Sequence, residues 1–145
     1  MNHVETVRFI YERFARGDAP AILALFDERI EFRLAEGHPY QPESEPWIGG
    51  KAITDNFFSK AGADWEDWAF HIDVVVETAD TVVVEGRYAA RYKPTGRALD
   101  AQGCHVWRFR GGRISSFHQY VNTARVQDVM GVRSSLPHEA LSQRS

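Results

Sequence analysis

The sequence predicts an α+β domain, with helices gathered in its first half and an antiparallel sheet filling its second. Three observations carry this. Val4, Val7, Ile10, Tyr11 and Phe14 recur at helical spacing, with Glu5, Arg8, Glu12 and Arg13 on the other side. From residue 68 onward the chain alternates apolar and polar residues with period two, as strands with one buried face do. Gly111-Gly112 separates the last two β-rich runs, and glycine tolerates the positive φ of a tight hairpin turn.

Taken in order, residues 3–16 form the first helix, which Gly17 ends. Asp18 caps a second, short helix with Pro20 in its first turn, running through Phe26. Residues 29–35 alternate Ile30, Phe32 and Leu34 against Glu31, Arg33 and Ala35, which predicts a strand. The segment 36–47, EGHPYQPESEPW, is an acidic, proline-rich loop, of a kind that often serves as a lid or rim; His38 and Tyr40 either gate a pocket mouth or belong to a solvated loop. Gly49-Gly50 lead into a third helix carrying Ile53, Phe57 and Phe58 and ending near Gly62. Two strands follow. One sets Trp68, Phe70, Ile72, Val74 and Val76 on one face; the other does so with Val82, Val84, Gly86, Tyr88, Ala90 and Tyr92. KPTGR at 93–97 is a turn, and the hairpin through His105 and Gln119 completes the sheet. Residues 1–132 are expected to form one domain, and 133–145 a polar, flexible tail.

The composition fits this reading. A 145-residue chain with 43% hydrophobic and 26% charged residues suffices for one core with a pocket. A net charge of −3 without a basic run argues against nucleic acid as a partner. No apolar run reaches the ~20 residues of a membrane helix, and the first residues lack the pattern of a signal peptide. One cysteine, Cys104, allows no internal disulfide and suits a reducing cytoplasm. The six histidines, His3, His38, His71, His105, His118 and His138, are scattered without ligand spacing, so neither metal nor cofactor is expected.

Chemistry concentrates on the hairpin. His105 sits among aromatic residues, and Gln119 lies between Phe117 and Val121. Strands do not carry imidazole and amide groups on a buried face unless these are paired or used. His105 is either a satisfied core histidine or a general acid–base group near neutral pH. Gln119 lines a pocket or forms a core hydrogen bond; its amide positions but does not exchange protons. Asp100 is a second catalytic candidate, although alternation sets it on the face opposite His105 unless a bulge near Gly103 re-aims it. Tyr11 offers a hydroxyl or plain core packing. The tryptophans Trp47, Trp65, Trp68 and Trp107 fill the core or contact a flat ligand.

Together GDAPAILALFDERIEFR, WIGGKAI and HVWRFRGGRISSFHQYVNTA, with the order of elements, resemble the nuclear transport factor 2-like superfamily. Within it the chain is most similar to bacterial SnoaL-like, ketosteroid-isomerase-related proteins. The resemblance spans roughly residues 4–130. It implies a curved sheet wrapped around N-terminal helices as a cone with an interior pocket, and commonly a homodimer through the sheet. Ketosteroid isomerases use an Asp base, with a Tyr and a protonated Asp as oxyanion donors. Here the base position falls at Leu34, the oxyanion Asp at His105, and Tyr11 stands one position from the helix tyrosine. The superfamily's epoxide hydrolases carry WRDYFD where this chain has FHQYVN, so His118, Gln119 and Asn122 replace their Arg and two Asp. Neither mechanism transfers. The resemblance implies a cofactor-free acid–base enzyme (isomerase, cyclase, dehydratase or hydrolase) on a small apolar, cyclic or carbonyl-bearing compound, or a module without turnover that binds a ligand or serves as a dimeric interaction domain. His105 and Asp100 are the catalytic candidates. Tyr11, Leu34, Tyr88, Trp107, Phe117 and Gln119 are the substrate-binding candidates.

Overall fold

A computed structural model describes residues 1–132; the tail expected at 133–145 lies outside the described residues. Helix α1, His3–Ala15, begins where Asn2 and Glu5 satisfy each other's backbone N–H groups in a capping box. Asp18 accepts from the Ala21 N–H at 3.3 Å and caps α2, Ala19–Leu23. Strand β1 follows at Phe26–Arg33, three residues earlier than alternation suggests, and a two-residue β2, Trp47–Ile48, pairs with it. The third predicted helix is two short helices, α3 (Gly49–Ile53) and α4 (Ser59–Asp64), joined by one π-helical turn, Thr54–Phe58. The wider turn inserts an extra residue, a device found often at functional sites.

Four long strands follow: β3 (Trp65–Glu77), β4 (Thr81–Tyr92), β5 (Arg97–Arg110) and β6 (Arg113–Val121). A final helix α5, Thr123–Met130, was not foreseen. Asn122 accepts from the Arg125 N–H to cap it, and Gly131 ends it in the left-handed conformation at φ 71°. Asn122 is thus a helix cap rather than a site residue. The sheet order is β2-β1-β6-β5-β4-β3. All pairs are antiparallel except β1–β6, which is parallel and joins Phe32 to Phe117. The helices cover the concave face, α1 against β3 and β4 and α5 against β5. This is the α+β cone, an unclosed curved sheet around helices.

Two features of the strands position the interior. First, β3 has a register shift between Ile72, paired with Gly86, and Val74, paired with Glu85. Ile72 faces inward, whereas Val74 and Val76 are turned to the outer face and are exposed. Uniform alternation had set them inside; one bulge reverses every residue beyond it. Second, Gly86 and Gly103 are cross-strand partners on the inner face. A Cβ at Gly103 would lie 2.7 Å from the Tyr88 ring, and one at Gly86 would meet the His71 carbonyl oxygen and the Phe70 ring. The missing side chains leave the space in which those two rings lie.

Gly86→Ala is therefore expected to destabilise the fold by about 1–3 kcal/mol, the usual cost of forcing atoms into a filled interior. Urea unfolding monitored by circular dichroism measures it. An unchanged midpoint would mean that the β3 backbone at His71 and the Phe70 ring yield freely.

Candidate functional site

The inner faces of β4, β5 and β6 and the helix α1 converge on His105. Its side chain is 2% exposed. The Tyr11 hydroxyl lies 2.6 Å from Nδ1, and the Tyr88 hydroxyl makes a short contact with Nε2. Trp107 Nε1 donates to the Tyr11 hydroxyl at 3.0 Å, and Gln119 Nε2 donates to the Tyr88 hydroxyl at 2.9 Å. Gln119 Oε1 accepts the Ala35 backbone N–H at 3.2 Å. That N–H can only donate, so it fixes which way the amide points. The Phe70 ring stacks on His105 with centroids 4.4 Å apart.

Burial sets the charge states. Desolvation lowers the His105 pKa to about 3, so the imidazole is neutral at pH 7. Burial raises both tyrosine hydroxyls well above their ordinary range; for Tyr11 the Trp107 hydrogen bond opposes this, and for Tyr88 the Gln119 hydrogen bond does. Both ring nitrogens of His105 are occupied. The ring itself lines the cavity, and its nitrogens meet the two tyrosine hydroxyls.

The network lines a mostly apolar cavity of about 100 Å³. That is smaller than the apolar cavity of about 150 Å³ that takes benzene in another protein, so it admits no more than a single ring. Leu34, Phe32, Phe117 and the π-turn pair Phe57 and Phe58 form its walls. A second hollow of about 280 Å³ shares Phe14, Ile22, Phe58, Ala61, Trp65 and Trp68 with it and continues outward past Gly17 and Gly62.

The structure brings together Tyr11, Leu34, Tyr88, His105, Trp107, Phe117 and Gln119, all of which line the cavity. It does not bring Asp100 there. Register between β4 and β5 is continuous through Gly103, without the bulge that would re-aim it. Asp100 stands on the outer face, 74% exposed, 2.9 Å from Arg87 Nε. Trp65, Trp68 and Trp107 line the cavity, while Trp47 stacks outside it on Phe32. Tyr88 was expected as a wall and is a hydrogen-bonding member of the network. Phe70, Gly86 and Gly103 were missed; two glycines interrupting adjacent strands were the available signal.

The acidic loop is built into the wall rather than left free over it. Gln41, 3% exposed, bridges the Leu34 N–H and the Phe32 carbonyl at 2.8 and 3.2 Å. The Tyr40 hydroxyl donates to Asp64 at 2.5 Å and accepts from Trp65 Nε1 at 3.2 Å. His38 is buried against the cavity, and its Nδ1 accepts the Tyr40 N–H at 3.1 Å, which fixes the ring hydrogen on Nε2. Desolvation lowers its pKa to about 4. Among the described residues no three His, Cys, Asp or Glu side chains cluster as metal ligands. No described helix is long and apolar enough to cross a membrane.

Residues 7–117 match the model of the SnoaL-like domain, and the chain belongs to that family. A nuclear transport factor 2-like protein from Burkholderia thailandensis superposes with a TM-score of 0.76 at 29% identity, over 87% of this chain and 95% of that one. A similar protein of unknown function from Burkholderia pseudomallei gives 0.79 at 25% identity, over 89% and 97%. A Catenulispora acidiphila protein with a ketosteroid isomerase-like fold, in complex with trimethylamine, gives 0.74 at 17% identity, over 92% and 97%. No curated protein matches in sequence.

The two buried imidazoles have a consequence for pH. An unfolded histidine takes up its proton near pH 6.5, whereas His105 and His38 resist it to about 3 and 4. Between those values the unfolded chain binds more protons than the folded one. Their contribution is complete above about pH 6.5 and is lost as the pH falls, by about 1.4 kcal/mol per unit for each. Urea unfolding at pH 7 and pH 5 should show this slope, and His105→Gln should remove about half of it.

Proposed function

We propose that this protein binds a small, apolar, ring-containing compound and acts on it by cofactor-free acid–base chemistry of the isomerase, cyclase, dehydratase or hydrolase kind. The observation that carries this is the line of Tyr11, His105 and Tyr88 in the wall of a predominantly apolar cavity. Buried polar groups beyond those that packing requires orient a ligand or move its protons. Trp107 and Gln119 hold the tyrosine hydroxyls, and Leu34 and Phe117 supply wall. His105 serves as the proton reservoir behind the tyrosines. A single-ring compound bearing a carbonyl suits both the size and the donors.

The same titration behaviour favours a second reading. Among these groups none is poised near pH 7, because His105 is pushed down and both tyrosines up. A site that binds without turnover needs no such group. The two readings share the pocket and differ in whether product forms.

A thermal-shift panel of one-ring ketones and phenols tests the pocket, since a ligand that binds only the folded state raises apparent stability. Ligands should raise the midpoint by several degrees at about 100 times Kd. Val121→Trp, at the half-buried end of β6, should fill the cavity and abolish the shift. Shifts that survive it would remove the cavity as the site. Analysis of the bound compound by mass spectrometry and NMR then separates turnover from binding.

A homodimer through the sheet is part of this proposal, and its cytoplasmic setting rests on Cys104 as a free thiol. On the outer face Val76 pairs with Val83 and Val83 with Val106, while Val74 leads across Glu85 and Cys104 to the exposed Tyr120. Apolar side chains so aligned across a sheet fit a self-complementary partner. Sedimentation should give twice the chain mass, and Val76→Asp with Tyr120→Glu should give monomers. A monomeric wild type would remove the dimer.

A further inference from the structure

The buried network holds more hydrogens than its contacts can use. Tyr11 Oη, His105 Nδ1, His105 Nε2 and Tyr88 Oη form two hydrogen-bonded contacts. Each tyrosine carries one hydroxyl hydrogen, and a neutral imidazole carries one ring hydrogen. Three hydrogens therefore serve two contacts. The flanking groups cannot take the surplus. Trp107 Nε1 is only a donor, and Gln119 directs its NH₂ at Tyr88 because its oxygen holds the Ala35 N–H.

Only two arrangements satisfy both contacts. In one, Tyr11 donates to Nδ1, Nε2–H donates to Tyr88, and the Tyr88 hydrogen points away from the imidazole. In the other, every hydrogen is reversed and Tyr11 holds the spare. Both tyrosines line the cavity. One end thus presents a donor while the other presents only a lone pair, and the ends exchange roles by shifting hydrogens along the line.

We propose that Tyr11–His105–Tyr88 is a neutral, reversible proton relay that selects ring compounds carrying one carbonyl and one hydroxyl in conjugation. This rests on the pocket reading above and names its ligand. The carbonyl accepts from the tyrosine holding the spare hydrogen, and the hydroxyl donates to the other. The step balances. The ligand O–H bond breaks as an O–H bond forms at Tyr11, and the former Tyr11 hydrogen passes to Nδ1. The Nε2 hydrogen passes to Tyr88, and the former Tyr88 hydrogen passes to the ligand carbonyl oxygen. For an enolised 1,3-dicarbonyl the ligand leaves as its tautomer, the site is left in its other arrangement, and no group becomes charged; an aromatic hydroxyketone, whose tautomer would lose the ring's aromaticity, is held by the same pair of hydrogen bonds without transfer. That avoids the ion which so buried a site would penalise heavily.

The probe is 4-hydroxyacetophenone, with acetophenone as the acceptor-only control and 4-ethylphenol as the donor-only control. Calorimetric titration should show the hydroxyketone binding about ten-fold more tightly than either control, the scale of one added neutral hydrogen bond. Its ultraviolet spectrum when bound should remain that of the neutral phenol above the pH at which the free compound ionises. Tyr11→Phe and Tyr88→Phe should each abolish the ten-fold preference while still binding the controls, which reports that the pocket remains folded. Equal affinity for all three compounds overturns the relay and leaves the pocket reading standing. Binding as the phenolate also overturns the relay. Binding of none overturns both.

Discussion

An imidazole buried from solvent must find a partner for each nitrogen, and the interior of this protein is arranged to supply both. Tyr11 comes from the first helix and Tyr88 from a central strand, and each hydroxyl is steadied by a further donor, Trp107 or Gln119. Each buried polar atom would cost roughly 1–3 kcal/mol if left unpaired. The network is therefore a constraint on the relative positions of α1, β4, β5 and β6, as well as a candidate site. It depends on the paired glycines, since Tyr88 and Phe70 reach His105 only through the room that Gly86 and Gly103 leave.

By the sequence resemblance, Leu34 and Gln119 fall at positions that hold carboxylates in ketosteroid isomerases and epoxide hydrolases. Leu34 is wall, and Gln119 links the Ala35 backbone to Tyr88. The polar groups of the network are all neutral at pH 7. Neutral donors discriminate by hydrogen-bond pattern rather than by charge, and in an apolar cavity a mismatch leaves a buried group unpaired.

Much of this could be read from the sequence. Period-two alternation set His105, Trp107, Phe117, Gln119 and Tyr88 on one side, and helical spacing turned Tyr11 toward them. Parity also set Asp100 outward, and continuous register left it there. Other features escaped for physical reasons. The bulge after Ile72 has no residue signature, yet it turns Val74 and Val76 outward. The π-turn at Thr54–Phe58 differs from an α-helix by one backbone register, which side-chain periodicity over five residues does not resolve. Helix α5 was masked by Thr123 and Val126, poor helix formers that are held by the Asn122 cap and by packing on β5. The order of hydrogen bonds, with Gln119 joined to Tyr88 rather than to His105, needed coordinates.

The parallel pairing of β1 with β6 has a consequence for the order in which the molecule assembles. β1 hydrogen-bonds to a strand more than eighty residues later, aligning Phe26 with Ile114 and Phe32 with Phe117. Such pairings bear the full entropy of closing a long loop and form late. A chain emerging from the ribosome can fold β3 and β4 as a local hairpin, but β1 has no neighbour besides the two residues of β2 until β6 is made. The apolar side of β1, with Phe26, Ile30 and Phe32, stays uncovered by the sheet throughout that interval. Synthesis speed across β3–β5 sets how long it is exposed, and that interval is where aggregation or chaperone capture competes with folding.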